Sequence, residues 1–425
     1  MSARYLIKGG MALKGEIKVA GNKNAILPII AATLLTDEEC LIENVPKISD
    51  VTIMGELLKD LGAKVEGLGT EKLIIKTAGV KKHHLKPELV QKLRASILFM
   101  GPLLARFRQA RLKHPGGCLI GKRAVGTHFE ALRALGAEVF VGEGDYEGKL
   151  IRGHASRIFL DEASVTATEN TIMLASLIPG TTVIENAACE PHVRNLAQFL
   201  VKMGARIEGF GTNRLNVYGV KKLGGAAIKI IPDYMEIGTF AIAAAVTKGE
   251  ILIKDTIPGD LDMIMLYLKR MGVDLRLVGN DLLIKKSKLK APRGKIQTRP
   301  WPGFPTDLMS PLIVLATQAK GATLCHDWMY ETRMFFIDKL TTMGADITIC
   351  DPHRVLVNGP TPLQGKILES PDIRAGMALV LASLCARGES IIENIQLIER
   401  GYQEPHLRLR SLGAEIRKVN GKKSV

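Results

Sequence analysis

Leu61-Gly62-Ala63 closes an amphipathic stretch and opens an alternating one, Lys64–Glu66. The same joint returns as Leu135-Gly136-Ala137, Met203-Gly204-Ala205, Met271-Gly272-Val273, Met343-Gly344-Ala345 and Leu412-Gly413-Ala414. Successive glycines are 74, 68, 68, 72 and 69 residues apart, and self-similarity at a near-constant period marks repeated structural units. Glycine at such a joint fits a helix C-cap, where the chain turns left-handed and a Cβ is costly.

The surroundings of the joints share a layout. An apolar helix comes first, as in Ala25–Leu35, Thr168–Leu177 or Arg374–Cys385. A short strand follows, as in Thr181–Asn186 or Glu389–Asn394. An amphipathic helix then runs to the joint, and alternating strands such as Glu415–Lys418 complete the unit. The first helices are apolar nearly all round, so each must be buried on every side. Six such helices do not share one small core, whereas three do. The expectation is an α/β protein of two similar domains, each of three βαβαββ-type units around buried helices. One domain spans 22–228 with a loop at 111–124, the other 1–21 plus 229–425, and a cleft between them holds the site. The strand Tyr5–Lys8 precedes the first repeat and is expected in the last repeat's sheet.

A length of 425 residues also favours two domains over one core. Apolar residues at 46% and charged residues at 24% are ordinary for a globular chain, which leaves disorder only for the Lys-rich end, Gly421 to Val425. The net charge of +15 suits nucleic acid, a membrane surface or small anions. Its basic residues are scattered, with short clusters such as Lys285-Lys286 and Lys422-Lys423, which equally describes a solvated surface. Nucleic-acid binding calls for clustered Lys and Arg with exposed aromatics. Aromatics are 5%, and Trp301 and Trp328 fall beside the expected cleft segments, so no nucleic-acid partner is expected. The opening MSARYLIKGG lacks the apolar stretch of a signal peptide, and no run reaches the roughly 18 residues of a membrane span. Cysteines at 40, 118, 189, 325, 350 and 385 form no CxxC pair, so the expected compartment is a reducing cytoplasm.

Charges gather where the apolar helices begin: Gly21-Asn22-Lys23-Asn24, Lys92-Leu93-Arg94, Pro305-Thr306-Asp307 and Asp372-Ile373-Arg374. Repeat symmetry makes these four starts equivalent. A helix N-terminus already carries partial positive charge, so adding Lys23, Arg94 and Arg374 favours a bound anion. Ordinary capping by Asp307 and Asp372, with the basic side chains turned outward, is the competing reading.

The second repeat carries an insertion, Lys113-His114-Pro115-Gly116-Gly117-Cys118-Leu119-Ile120-Gly121-Lys122-Arg123. Its glycines and proline indicate a mobile loop. A lone cysteine is usually a small core residue. Cys118 instead lies among Lys113, Lys122 and Arg123, cations that lower a thiol's pKa and make it reactive. The other cysteines sit in apolar or strand-like stretches. No P-loop, GxGxxG, HExxH or GxSxG motif occurs, and the nine histidines show no metal-ligand spacing, with His83-His84 read as a solvated basic linker.

With these motifs in their order and spacing, the chain resembles the UDP-N-acetylglucosamine enolpyruvyl transferase family over essentially its whole length. The resemblance rests on Gly21-Asn22-Lys23-Asn24-Ala25, Arg94-Ala95-Ser96, Pro115-Gly116-Gly117-Cys118, Phe304-Pro305-Thr306-Asp307, Glu331-Thr332-Arg333, Asp372-Ile373-Arg374-Ala375 and Glu399-Arg400-Gly401-Tyr402. It implies an inside-out α/β barrel in each domain, and enolpyruvyl transfer from phosphoenolpyruvate to UDP-N-acetylglucosamine with no cofactor or metal. It further implies an enzyme without membrane partner, a monomer, and sensitivity to fosfomycin at Cys118.

The resemblance also implies roles. Cys118 is the acid that protonates the methylene carbon, and Asp307 the base beside the sugar 3-hydroxyl. Lys23, Asn24 and Arg400 join them at the reacting centre. Arg94, Arg123, Arg333 and Arg374 hold the anionic groups. Ala124, Val125, Gly126, Thr127, Ser164, Val165 and Met329 line the nucleotide-sugar site. Three positions depart from the family pattern: Gly126 stands for an aspartate, Glu162 for a lysine and Thr166 for a glycine. They leave open an enolpyruvyl transferase acting on another uridine nucleotide. The shikimate-pathway relatives lack the Pro-Gly-Gly-Cys loop.

Overall fold

The computed structural model describes residues 3–117, 121 and 125–420. All six joint glycines adopt positive φ, from 80° at Gly272 to 111° at Gly62, as a left-handed helix terminus requires. The chain divides into two compact units. One holds 21–117 with 125–231, the other 3–20 with 232–420. The sequence reading ended the first at 228, but Ala227–Lys229 pairs in parallel with Glu39–Glu43, and Asn22 N donates to Ile231 O. Those contacts keep Gly21 and residues 229–231 in this unit.

The third repeat shows the unit most clearly. Strand Arg157–Phe159, helix Val165–Ala175 and the parallel strand Thr181–Glu185 form a βαβ crossover. Helix Pro191–Lys202 and the antiparallel strands Arg206–Glu208 and Arg214–Tyr218 complete it. The same mixed four-stranded order recurs in the first repeat, and among the described residues of the second repeat three strands pair: Gln109–Lys113, Asp145–Leu150 and Ala137–Val141. There His84 bridges Arg111 in place of a leading strand, so the His83-His84 stretch lies along the sheet instead of forming a free linker.

The other unit has three four-stranded sheets. In the last of them Ala3–Lys8 runs antiparallel between Glu389–Glu393 and Glu415–Asn420, with Tyr5 opposite both Ile392 and Lys418. The structure adds a strand the sequence reading overlooked, Lys14–Lys18, parallel to Glu250–Lys254.

The helices expected at the centre are buried. Every residue of Tyr234–Val246 and of Met309–Thr317 lies below the surface. Each Leu, Ile or Val so enclosed contributes about 1.5–3 kcal/mol of hydrophobic stabilisation. Their amphipathic partners, such as Ser49–Leu61, turn one face inward and carry charges on the other. The starts of the central helices, where polar residues replace apolar ones, are where the candidate site residues fall.

Candidate active site

In the unit built on residues 21–231, helix Lys23–Ala32 begins with Asn22, whose side chain accepts the Ala25 N–H at 2.9 Å. Lys23, 9% exposed, reaches Asp50 at the start of helix Ser49–Leu61, with Nζ 2.8 Å from Oδ2. The ammonium therefore has a carboxylate of its own, which neither the bound-anion reading nor the outward-turned one anticipated. Asp50 was not singled out from sequence, where an acid in a first helical turn reads as ordinary capping. Asn24 is half-buried beside it.

Arg94 opens the turn of 3-10 helix Arg94–Phe99 and is half-buried. The loop 111–124 starts against it. A Cβ at Gly116 would stand 1.6 Å from Gln91 O, and one at Gly117 would stand 3.0 Å from Arg94 Cβ. Gly117 also has φ of 135°. These two glycines thus serve close approach as well as flexibility. Lys113, expected to polarise the thiol, pairs with Asp145 at 2.7 Å. Cys118, Arg123 and Ala124 lie outside the described residues.

Val125 precedes helix Gly126–Ala134, and a Cβ at Gly126 would meet nothing within 4 Å. Thr127 donates to Asp161 Oδ1 at 2.5 Å, and Glu162 N donates to the same oxygen at 2.9 Å. Ser164 caps helix Val165–Ala175. Thr166, one of the departures, meets His128 Nε2 at 2.9 Å.

His128, 3% exposed, sits in a network that dictates its protonation. Asn170 Nδ2 lies 3.1 Å from His128 Nδ1 and donates to Ile97 O at 3.0 Å, while Asn170 Oδ1 accepts Gly101 N at 2.8 Å. Those backbone bonds fix the amide, so its N–H points at Nδ1, which must be an unprotonated acceptor. Nε2 then carries the proton and donates to Thr166. Burial and the nearby Arg94 push the imidazole pKa down to about 3.

In the unit built on 232–420, Asp372 caps helix Ile373–Cys385, its Oδ1 accepting Arg374 N at 2.7 Å and Ala375 N at 3.0 Å. Arg374, 4% exposed, gives Nε at 3.0 Å and Nη2 at 2.9 Å to Asp307 Oδ2. Arg333 Nη2 lies 3.1 Å from the other oxygen, Oδ1. Asp307, on the turn Thr306–Leu308, is therefore not a helix cap but the shared partner of two buried arginines. Burial opposes both charges. Asp307, Tyr402 and Asp233 outweigh it for Arg374, as Asp307, Asp372 and Asp327 do for Arg333, and both pKa values rise. The Arg374 guanidinium rests over the Tyr402 ring at 5.2 Å, and Arg333 over Tyr330 at 5.3 Å. Arg374 Nη1 is buried and makes no hydrogen bond among the described residues. A guanidinium held on one side with a spare N–H on the other suits an oxyanion.

Arg400 ends the turn Ile398–Arg400 and is half-buried. Its neighbour Glu399 accepts Tyr5 OH at 2.7 Å and Lys418 Nζ at 2.8 Å, which ties the turn to the inserted strand. Met329 is half-buried, next to Trp328, whose Nε1 donates to Thr298 O. Among the described residues no three His, Cys, Asp or Glu side chains gather to hold a metal. No helix among the described residues is long and apolar enough to cross a membrane.

The family model described as EPSP synthase (3-phosphoshikimate 1-carboxyvinyltransferase) matches residues 7–423. A UDP-N-acetylglucosamine 1-carboxyvinyltransferase of Treponema denticola is 49% identical over 97% of this chain and 98% of its own. One of Borreliella burgdorferi is 45% identical over 98% and 99%, and one of Bradyrhizobium diazoefficiens 44% identical over 99% of both. Among solved structures, the enolpyruvyl transferase NikO from Streptomyces tendae superposes with a TM-score of 0.88 at 22% identity, covering 99% of this chain and 100% of its own. An EPSP synthase from Acinetobacter baumannii gives 0.76 at 20% identity over the same shares. Both structures carry the same fold. The chain belongs to the EPSP synthase family and, within it, to the UDP-N-acetylglucosamine 1-carboxyvinyltransferases.

Proposed function

We propose that the enzyme transfers the enolpyruvyl group of phosphoenolpyruvate to the 3-hydroxyl of UDP-N-acetylglucosamine and releases phosphate, the first committed step of peptidoglycan synthesis. The observation that carries the chemistry is Asp307 held between Arg333 and Arg374, with Arg374 Nη1 still able to donate. A phosphate arriving at Arg374 competes with Asp307 for the guanidinium. Oδ2 is thereby released to take the proton of the attacking hydroxyl, in the role of general base. Cys118 supplies the proton to the methylene carbon, which makes C2 electrophilic. The hydroxyl oxygen then bonds to C2. When the C2–O bond to phosphate breaks, a proton leaves the methyl carbon for the Cys118 thiolate, Asp307 gives the hydroxyl proton to the departing phosphate, and the enol ether re-forms. Lys23, Asn24, Arg94, Arg123, Arg374 and Arg400 stabilise the developing and departing anion. Val125, Gly126, Thr127, Ser164, Val165 and Met329 receive the nucleotide sugar.

The test is phosphate release from phosphoenolpyruvate with and without UDP-N-acetylglucosamine, on wild type, Cys118→Ala and Asp307→Asn. Sugar-dependent release that collapses in both variants is expected. Release with another uridine nucleotide but not with this one refutes the acceptor and points to Gly126, Glu162 and Thr166. Full release in Cys118→Ala refutes the acid.

A further inference from the structure

Asp327 is wholly buried at the end of strand Gly321–His326, yet it is a carboxylate and no part of the reaction above uses it. An ionisable side chain in such a place is costly unless every acceptor site is filled. Here both oxygens accept hydrogen bonds, in a particular arrangement. Oδ2 accepts Thr306 Oγ1 at 2.5 Å, and Thr306 is the residue before Asp307. Oδ1 accepts Thr298 Oγ1 at 3.0 Å and the backbone N of Met329 at 3.1 Å. Arg333 Nε lies 3.9 Å from Oδ2. The Asp327 main chain is clamped too, its N–H donating to His353 O and its carbonyl lying 2.8 Å from His353 Nδ1.

These bonds converge on one geometry. Asp307 and Arg333 sit on different segments, 306–308 and 328–333, neither of which is a regular helix. Asp327 grips the first by a hydrogen bond from Thr306 and the second by one from Met329 N, and its charge faces the Arg333 Nε at 3.9 Å. We infer that Asp327 is a positioning residue for the transfer, setting where the Asp307 carboxylate stands relative to Arg333 and to the hydroxyl it must deprotonate. This rests on the reading of Asp307 as the base. Asp327 touches no substrate and acts through Thr306 and Arg333. A base displaced by an ångström from its proton loses about a hundredfold in rate, so the effect belongs in kcat more than in binding.

The experiment compares wild type, Asp327→Asn, Thr306→Val and the double variant in the phosphate-release assay, with thermal melts of each. Asparagine keeps the size and one acceptor but removes the charge and the second carboxylate oxygen. The expected result is a fall in kcat on the order of 10- to 100-fold in each single variant with KM for both substrates within about threefold. The double variant should be no slower than the worse single one, because both break one linkage. Wild-type kcat in Asp327→Asn, a loss confined to KM, or losses that multiply in the double variant would overturn the assignment. If Asp327→Asn does not fold, Thr306→Val decides alone: a folded variant at full kcat refutes the linkage. Inactivity of wild type with UDP-N-acetylglucosamine refutes the proposed acceptor instead, and the ratios are then read with whichever nucleotide sugar supports release.

Discussion

His128→Asn removes the one titrating group in the Asn170–His128–Thr166 chain. The native imidazole must stay neutral, since a proton on Nδ1 would face the fixed amide N–H of Asn170. Its pKa is about 3 in the folded protein against an ordinary 6.5. The unfolded chain therefore binds a proton as pH drops below 6.5 while the folded protein does not. The stabilisation is complete above 6.5 and is lost progressively down to about 3, with a slope of about 1.4 kcal/mol per pH unit. From 6.5 to 5 that amounts to about 2 kcal/mol. The asparagine variant keeps an acceptor for Asn170 but leaves Thr166 without its donor and a void where the ring was, costing about 2–4 kcal/mol at pH 7. Urea unfolding of both proteins at pH 7, 6 and 5 should show this deficit shrinking by about 2 kcal/mol at pH 5, because the variant lacks the histidine's slope. A deficit that stays constant with pH would refute the neutral-imidazole reasoning.

Asp50→Asn should strip Lys23 of its 2.8 Å carboxylate partner. Breaking one side of so buried a pair costs about 3–5 kcal/mol, so the melting temperature should drop by several degrees and kcat/KM for phosphoenolpyruvate should fall; an unchanged melt would show the pair to be unimportant. Gly413→Ala and Gly62→Ala form a matched test of the joints. At Gly413 a Cβ meets nothing within 4 Å and only the left-handed backbone, φ of 93°, is penalised, at about 1–2 kcal/mol. At Gly62 the Cβ would also stand 2.7 Å from Gly79 O, so this variant should melt lower than the first, and equal melting temperatures would contradict the contact.

The repeat was legible because a left-handed helix terminus has a strong residue preference, and the six joints carry it without exception. The insertion of Ala3–Lys8 into the last sheet followed from a strand with no nearby partner. Other features depend on contacts across sequence that no local pattern reveals. Lys23 and Arg374 read as cations awaiting an anion because Asp50 and Asp307 lie 27 and 67 residues away. Asp327 sits among Cys325, His326 and Trp328, where a strand ending in an acid looks like any strand meeting solvent. His128 stands out in no local pattern, since its neutrality follows from burial and from the orientation of Asn170. Lys113 was read by proximity along the chain to Cys118, whereas its ammonium pairs with Asp145 on the neighbouring strand of the sheet.

The placement of Ala3–Lys8 between Glu389–Glu393 and Glu415–Asn420 has a bearing on biosynthesis. Translation delivers this strand first and its two neighbours last. At ~5–20 residues per second the delay is roughly 20 to 80 s. Through that interval Tyr5 and Ile7, 0% and 1% exposed in the finished fold, have no sheet to enter. Nascent chains arrested near residue 380 should therefore be held by chaperones through their first strand, and full-length chains should not.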